Sequence, residues 1–164
     1  TGGEAVGAAE AVSVVRVDHM NDFVGYSRKL REWAKQEGLR GALFFRVPER
    51  SGRAEDVFLI LIALEPSALA AFLGNLRTHY VDKNAKGAKC KERKSDVLLQ
   101  GPVSELRRGN PRAPWPWEPG GNDQSQDHNP LPEFDYTTDT ALLRRAMSDL
   151  GLDERGEALA PRVA

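Results

Sequence analysis

The stretch Val57-Phe-Leu-Ile-Leu-Ile-Ala-Leu64 decides the fold of this 164-residue chain. Every position in it is apolar, with neither the alternation of a half-buried strand nor the stripe of an amphipathic helix, and this is typical of a strand buried on both faces of a sheet. A membrane span requires about 20 apolar residues, so the run is too short for one. We predict a central strand over residues 57–64, preceded by a polar loop over residues 49–56.

Three further strands are predicted around this run. Residues 12–17 are rich in valine, residues 42–47 end before Pro48, and residues 95–103 contain Val97, Leu98 and Leu99. β-Branched and large apolar residues in short runs of this kind favour strands over helices.

Two amphipathic helices separate the predicted strands. The first follows a cap at Asn21 or Asp22 and ends at Gly38, and the second is capped by Ser67. The apolar stripe of the second helix is predicted to contain Leu69, Phe72, Leu73, Leu76 and Tyr80. The element order is therefore βαββαβ, which predicts an α+β, ferredoxin-like sandwich with both helices on one face of the sheet.

The chain changes character after the last predicted strand. Residues 105–138 are rich in proline and acidic side chains, a composition typical of a partly disordered tail. Residues 140–150 carry apolar side chains at helical spacing between Asp139, a possible cap, and Gly151, a possible stop. We predict four segments: a flexible lead over 1–11, the ferredoxin-like domain over 12–104, the Pro-rich acidic linker over 105–138, and a short docking helix with the C-terminal end over 139–164.

Composition limits the possible functions only weakly. The formal net charge is -1 and the isoelectric point is about 6.3, so the whole chain has no excess charge to attract nucleic acid or membrane. One cysteine, Cys90, excludes an intramolecular disulfide. We expect an intracellular protein, in the nucleus or cytoplasm, with no membrane partner.

Candidate catalytic residues are few. His19 follows Asp18 and could form a proton-transfer pair, and Cys90 lies between Lys89 and Lys91, which lower a thiol pKa in general. Backbone hydrogen bonding of the histidine and an incidental loop thiol are the favoured interpretations. An acylphosphatase-like enzyme is a distant alternative, because no Arg-bearing phosphate loop follows the first strand. We predict no enzyme activity, no catalytic residue, no metal and no cofactor.

Local charge points more clearly to a ligand. Between the second helix and the last strand, cations greatly outnumber Asp82 and Glu92. Lysine and arginine side chains beside a sheet can contact the phosphates of RNA or of another polyanion, although a solvated loop explains the same composition. The acidic tail is a possible competitor that folds back onto this segment. The predicted RNA-binding residues are His19, Lys83, Lys86, Lys89, Lys91, Arg93 and Lys94.

A second predicted site lies on the sheet face that the helices leave open. A strand that is apolar on both sides needs cover on that face too. Either the tail tryptophans supply the cover or a protein partner docks there, such as a second copy or another domain. The predicted partner-binding residues are Phe58, Ile60, Ile62, Trp115 and Trp117.

Several motifs over residues 14–99 resemble a known family. They are Asp18-His19-Met20, Gly38-Leu39-Arg40-Gly41, and Gly87-Ala88-Lys89-Cys90-Lys91-Glu92-Arg93-Lys94, together with Trp33 in the first helix. They resemble the C-terminal domain of the family of RWD-domain-containing protein three, the sumoylation enhancer. That domain is similar to the C-terminal domain of a spliceosomal pre-mRNA processing factor, which is ferredoxin-like and binds small nuclear RNA. The sumoylation role belongs to the family's N-terminal RWD domain and is not carried over.

The resemblance implies a non-catalytic, splicing-factor-like RNA-binding module. The alternative from the residues is a protein-interaction module or assembly subunit that docks through the open sheet face. Its expected partner is a protein or an N-terminal RWD domain outside this sequence.

Overall fold

The computed structural model describes residues 10–47, 53–84, 86–91, 95–107, 113–118, 134–153 and 155–158. Residues 1–9 of the predicted flexible lead and most of the Pro-rich tail lie outside these ranges, and Ala11, the last residue of that lead, belongs to β1. The strands within them are β1 (Ala11–Met20), β2 (Arg40–Arg46), β3 (Ala54–Ala63), β4 (Tyr80–Lys83), β5 (Lys89–Lys91), β6 (Ser95–Pro102) and β7 (Phe134–Thr137). The helices are α1 (Phe23–Glu37), α2 (Pro66–Thr78), α3 (Val103–Leu106) and α4 (Thr140–Asp149).

The main sheet has the strand order β6-β1-β3-β2-β7. β1 pairs antiparallel with both β3 and β6, and β2 pairs antiparallel with β3. Together with α1 and α2 these four strands form the predicted βαββαβ sandwich, so the predicted fold class is confirmed. β7 extends the sheet by pairing parallel to β2, and this strand was not predicted.

The central position of β3 is also confirmed. Its residues 57–63 are all buried, because β1 and β2 flank it and both faces of the sheet are covered. The strand begins three residues earlier than predicted, at Ala54, and Leu64 lies beyond its end with more than half of its side chain exposed.

The two long helices cover one face of the sheet. The Asp22 side chain caps α1 by accepting a hydrogen bond from the Gly25 N–H at 3.3 Å, and Gly38 ends the helix with a φ of 69°. The predicted cap of α2 is wrong: Glu65 holds the cap position without a side-chain bond, and Pro66 opens the helix. Proline is favoured there because its ring fixes φ at a helical value and it has no N–H to satisfy.

The described part of the tail covers the other face. A second hydrophobic cluster joins Phe58, Ile60 and Ile62 of β3 to Trp115 and Trp117, and α4 packs against the same strands. The predicted helix over residues 140–150 is thus confirmed, with Asp139 accepting from two amide groups at its start. The predicted domain boundary at residue 104 stays a prediction, and side chains from beyond it complete this core.

Candidate nucleic-acid interface

The basic segment between α2 and β6 folds into a β-hairpin, where the sequence indicated only a hydrophilic stretch. β4 and β5 pair antiparallel, with Lys83 opposite Lys89. The Asn84 side-chain oxygen closes the turn by accepting from the amides of Lys86 and Ala88, at 2.9 and 3.0 Å. Gly87 adopts a φ of 81° within this turn, a conformation that glycine tolerates best.

The hairpin is anchored to the start of α1 through Asp82. This carboxylate is buried and accepts from the backbone N–H groups of Asn21 and Asp22, at 3.0 and 2.7 Å. The Asn21 side-chain amide also donates to the Lys83 carbonyl at 2.8 Å. These bonds fix the hairpin against the end of β1, so the lysines are carried by a positioned element.

One side of the hairpin presents cations and an aromatic ring to solvent. Residues paired across strands share a side, and the bulge between Tyr80 and Asp82 turns the two side chains to opposite sides. Tyr80, Lys83, Lys89 and Lys91 are therefore on the exposed side, whereas Asp82 faces the domain. The Tyr80 side chain is 56% exposed, and the Lys91 Nζ lies 5.4 Å from the centre of its ring.

The predicted RNA-binding residues are only partly brought together. Lys83, Lys89 and Lys91 lie on the exposed side, and Lys86 is exposed in the turn. Arg93 and Lys94 lie outside the described residues. The His19 Nδ1 is 2.8 Å from the Asp18 carboxylate, on the strand that leads into the hairpin anchor. This contact is exposed and joins neighbouring side chains, so both interpretations of His19 stay predictions.

Sequence reasoning missed Tyr80 as a site residue. The spacing placed it on the apolar stripe of α2, but the helix ends at Thr78 and Tyr80 begins β4. The signal was available in the sequence: an aromatic residue at the margin of a basic segment can serve as a stacking platform for bases.

The start of α1 carries two carboxylates, Asp22 and Asp82. Helix N-termini attract anions, and here Asp82 accepts the Asn21 and Asp22 amides just before the helix while Asp22 accepts the Gly25 amide, so these two carboxylates disfavour a further anion. Within the residues described, no three His, Cys, Asp or Glu side chains are grouped so that they could hold a metal ion. No described helix is long and apolar enough to cross a membrane.

The acidic tail does not fold back onto the hairpin as hypothesised, as far as it is described. The Glu118 carboxylate accepts from the Arg40 guanidinium at 3.1 Å, and Asp135 lies 3.9 Å from Arg31. Asp139 caps α4. Asp123, Asp127 and Glu133 lie outside the described ranges.

The predicted partner-binding residues face their own chain. Phe58, Ile60, Ile62, Trp115 and Trp117 are each at most 4% exposed. The two tryptophan rings stack with centroids 5.3 Å apart, and Trp117 meets Phe44 edge-on at 6.0 Å. The expectation of an open sheet face is therefore corrected: the tail tryptophans and α4 cover it.

Comparisons with known proteins give one relationship by sequence. No family model matches the chain. It is 30% identical over 92 residues to RWD domain-containing protein 3 of Mus musculus and to the same protein of Rattus norvegicus. The match covers 56% of this chain and 32% of each relative, so the chain spans about a third of their length.

Two solved structures are similar in backbone. Full-length HypF in its phosphate- and nucleotide-bound form superposes with a TM-score of 0.45 and 8% identity, over 78% of this chain and 12% of HypF. Acylphosphatase from Bacillus subtilis superposes with a TM-score of 0.39 and 14% identity, over 78% of this chain and 98% of the enzyme. Likenesses this distant bear on neither activity nor ligands.

Proposed function

We propose that this chain is a non-catalytic binding domain that takes single-stranded RNA on the exposed side of the β4–β5 hairpin. One observation carries the proposal: three lysines and an exposed tyrosine share one side of an element that is anchored to the fold. Lysines supply charge for phosphates, and an open aromatic ring supplies a face for a base.

The geometry favours a single strand over a duplex. A base can stack on Tyr80 only if it is unpaired or splayed out, because the bases of an A-form duplex are stacked on one another and turned inward. A duplex could use the lysines alone. The Lys91 Nζ lies 5.4 Å from the centre of the Tyr80 ring, so a cation and an aromatic surface are adjacent.

The experiment is a titration of fluorescent 12-mer single-stranded RNA, with a duplex of equal length, measured by anisotropy at several salt concentrations. If three to four lysines contact phosphate, the logarithm of the association constant should fall with the logarithm of salt with a slope of about -2 to -3. The variant Lys89→Glu/Lys91→Glu should bind roughly tenfold more weakly and with a shallower slope.

The matched control is Arg28→Glu/Lys35→Glu, which makes the same charge change on the exposed side of α1. It should retain most of the affinity, because long-range repulsion is largely screened at physiological salt. Equal losses in the two double variants would mean that only the overall charge matters, and the hairpin would then not be the site.

A second candidate function is protein interaction through the tail-covered sheet face. One observation favours it: the buried Trp117 Nε1 has no hydrogen-bond partner, and displacement of the Trp segment would return this N–H to water. The expected partner is a protein such as an RWD domain. Its complex should form at high salt and should strengthen when the tail is loosened by Arg107→Met; salt-sensitive binding indifferent to that change would count against it.

A further inference from the structure

A cavity of about 480 Å³ opens where the tail-covered face of the sheet meets the start of α4. The floor comes from the central strands, and the rim comes from the start of α4 and from the turn near Gly156. Its lining includes Arg16, Phe44, Arg46, Phe58, Leu143 and Arg155.

At the cavity, the side chains on this face of the sheet change from apolar to charged. Alternate residues of a strand share a face, so on this face β1 presents Val12, Val14 and then Arg16. β2 presents Phe44 and then Arg46. These side chains are apolar where α4 covers the sheet and charged where that covering ends. A ligand held there would meet aromatic floor and guanidinium groups together.

The lining holds three arginines and three carboxylates, Asp56, Asp139 and Glu157, and its formal charges cancel, but the groups are not all paired with one another. Arg46 lies 2.9 Å from Asp56, so this pair is neutral. Asp139 is taken up by the cap, since it accepts from the amides of Ala141 and Leu142 at 3.0 and 3.2 Å. The start of α4 therefore offers no further anion site.

Two lining arginines remain. Within the described residues, Arg16 and Arg155 have no carboxylate within ion-pair distance. Asp96 is opposite Arg16 on β6 and Glu157 is on the same turn as Arg155, yet neither closes a salt bridge. Arg16 and Arg155 thus line the cavity without a salt bridge, and Glu157 is the lining carboxylate that neither Arg46 nor the cap of α4 engages.

The position of Arg155 is fixed by its turn. The Asp153 carboxylate accepts from the amides of Arg155 and Glu157, at 2.8 and 2.9 Å. Gly156 has a φ of 85°, and a Cβ there would lie 2.4 Å from Leu98 and 3.2 Å from the Phe58 ring. The absence of a side chain lets the turn sit on Phe58, which places the Arg155 backbone beside the cavity.

We propose that this cavity binds a small aromatic carboxylate. The guanidinium groups of Arg16 and Arg155 receive the carboxylate, because the planar fork of arginine donates two parallel hydrogen bonds to such a group. The ring of the ligand lies against Phe44 and Phe58 on the apolar floor. The site is independent of the RNA surface proposed above.

Benzoate is the probe, titrated into the full chain and followed by two-dimensional amide NMR. Acetate, which lacks the ring, and benzyl alcohol, which lacks the charge, are the matched ligands. Benzoate should shift the amides of Thr140, Leu143 and Gly156 and should bind at least roughly fivefold more tightly than either control, since each control lacks one of the two contacts.

The decisive variant is Arg16→Gln/Arg155→Gln, with Arg28→Gln/Arg77→Gln on the exposed surfaces of the opposite helices as its control. The first should weaken benzoate binding at least roughly fivefold and the second should not change it. Glu157→Gln should tighten binding, because it removes the uncommitted carboxylate from the lining.

Thermal melting of each variant separates loss of binding from loss of fold. If Arg16→Gln/Arg155→Gln is unstable, the amide shifts of the unmodified chain decide whether benzoate binds in the cavity. Shifts at residues 140, 143 and 156 that saturate with benzoate support the site. Shifts elsewhere, or equal affinity for benzoate, acetate and benzyl alcohol, overturn it.

Discussion

The guanidinium of Arg107 donates a hydrogen bond to the Asp149 carboxylate at 3.1 Å and so ties the chain after α3 to the end of α4. The same group donates to the carbonyls of Ala113 and Pro114 and lies 4.1 Å from the centre of the Trp115 ring. The arginine is buried, and its side chain joins the two parts of the tail that cover the second core.

Replacing Arg107 with methionine should therefore destabilise the fold. The carbonyls of Ala113 and Pro114 lose a buried donor and the indole loses its cation, so we expect the free energy of unfolding to fall by about 2–4 kcal/mol. Urea denaturation followed by tryptophan fluorescence measures this. Asp149→Asn is the control and should cost less than about 1 kcal/mol, because the carboxylate is 40% exposed. Equal effects of the two changes would contradict the buried-donor argument.

The buried side of α4 gives a second prediction. Met147 lies in the second core, whereas its neighbour Ser148 is exposed. Met147→Asp should lower the free energy of unfolding by about 3 kcal/mol or more, since it buries an unpaired charge, and Ser148→Asp should change it by roughly 0.5 kcal/mol or less. Binding of a hydrophobic dye such as ANS should rise only in the first variant.

The packing of the tail in the second core also changes the effect expected of a C-terminal truncation. If the acidic tail competed with a polyanion, deleting the residues beyond Pro116 would tighten polyanion binding. The deletion would remove Trp117 and α4 from the core, so we expect the shortened chain to expose Phe58 and Ile60 and to aggregate. An intact, monomeric truncated domain would show that the cover is dispensable.

The sequence predicted the elements whose signals are local. The continuous apolar run of β3, the Asp22 cap and the Gly38 stop are each legible within a few residues. β7 was missed because its four residues become a strand only by pairing with β2, roughly ninety residues earlier in the chain. Such non-local pairing overrides weak local preference.

The candidate site was predicted only in part, because some of its features are local in sequence and others depend on distant contacts. Charge is visible in composition, so the lysines were identified. Their arrangement depends on the bulge beside Tyr80 and on the bonds from Asp82 to the start of α1, which join residues sixty positions apart. The cavity with Arg16 and Arg155 arises from packing of the tail on the sheet and has no sequence motif.

Gly41 tests how closely β2 and β3 approach, and Gly74 on α2 is its control. A Cβ on Gly41 would lie 2.0 Å from the Ile60 carbonyl oxygen, and its φ is 151°. Gly41→Ala should cost about 3 kcal/mol or more, because backbone must move. Gly74→Ala on the exposed side of α2 meets nothing within 4 Å and should stabilise the domain by roughly 0.5–1 kcal/mol. Thermal melts that rank the two variants in the opposite order would contradict the register of β2 and β3.

Replacing Asp82 tests whether RNA binding depends on the anchored position of the hairpin or only on its net charge. If only charge mattered, Asp82→Ala would strengthen RNA binding, because it removes an acidic group from a basic segment. We expect weaker binding instead, since the change frees the hairpin from the amides of Asn21 and Asp22. RNA titrations of this variant, compared with the exposed-site control Asp96→Ala, measure the sign. Tighter binding by Asp82→Ala would mean that the hairpin needs no anchor.

Tyr80 tests the preference for a single strand. Tyr80→Leu keeps an apolar side chain but removes the ring, and we expect it to weaken binding of single-stranded RNA by roughly 1–3 kcal/mol, the range of one base stacked on an aromatic side chain. Duplex affinity should be unchanged, because paired bases do not reach the ring. Tyr80→Phe retains the stacking surface and should bind like the unmodified protein. Parallel anisotropy titrations of both variants measure the two affinities, and an equal loss for single strand and duplex would show that Tyr80 only shapes the hairpin.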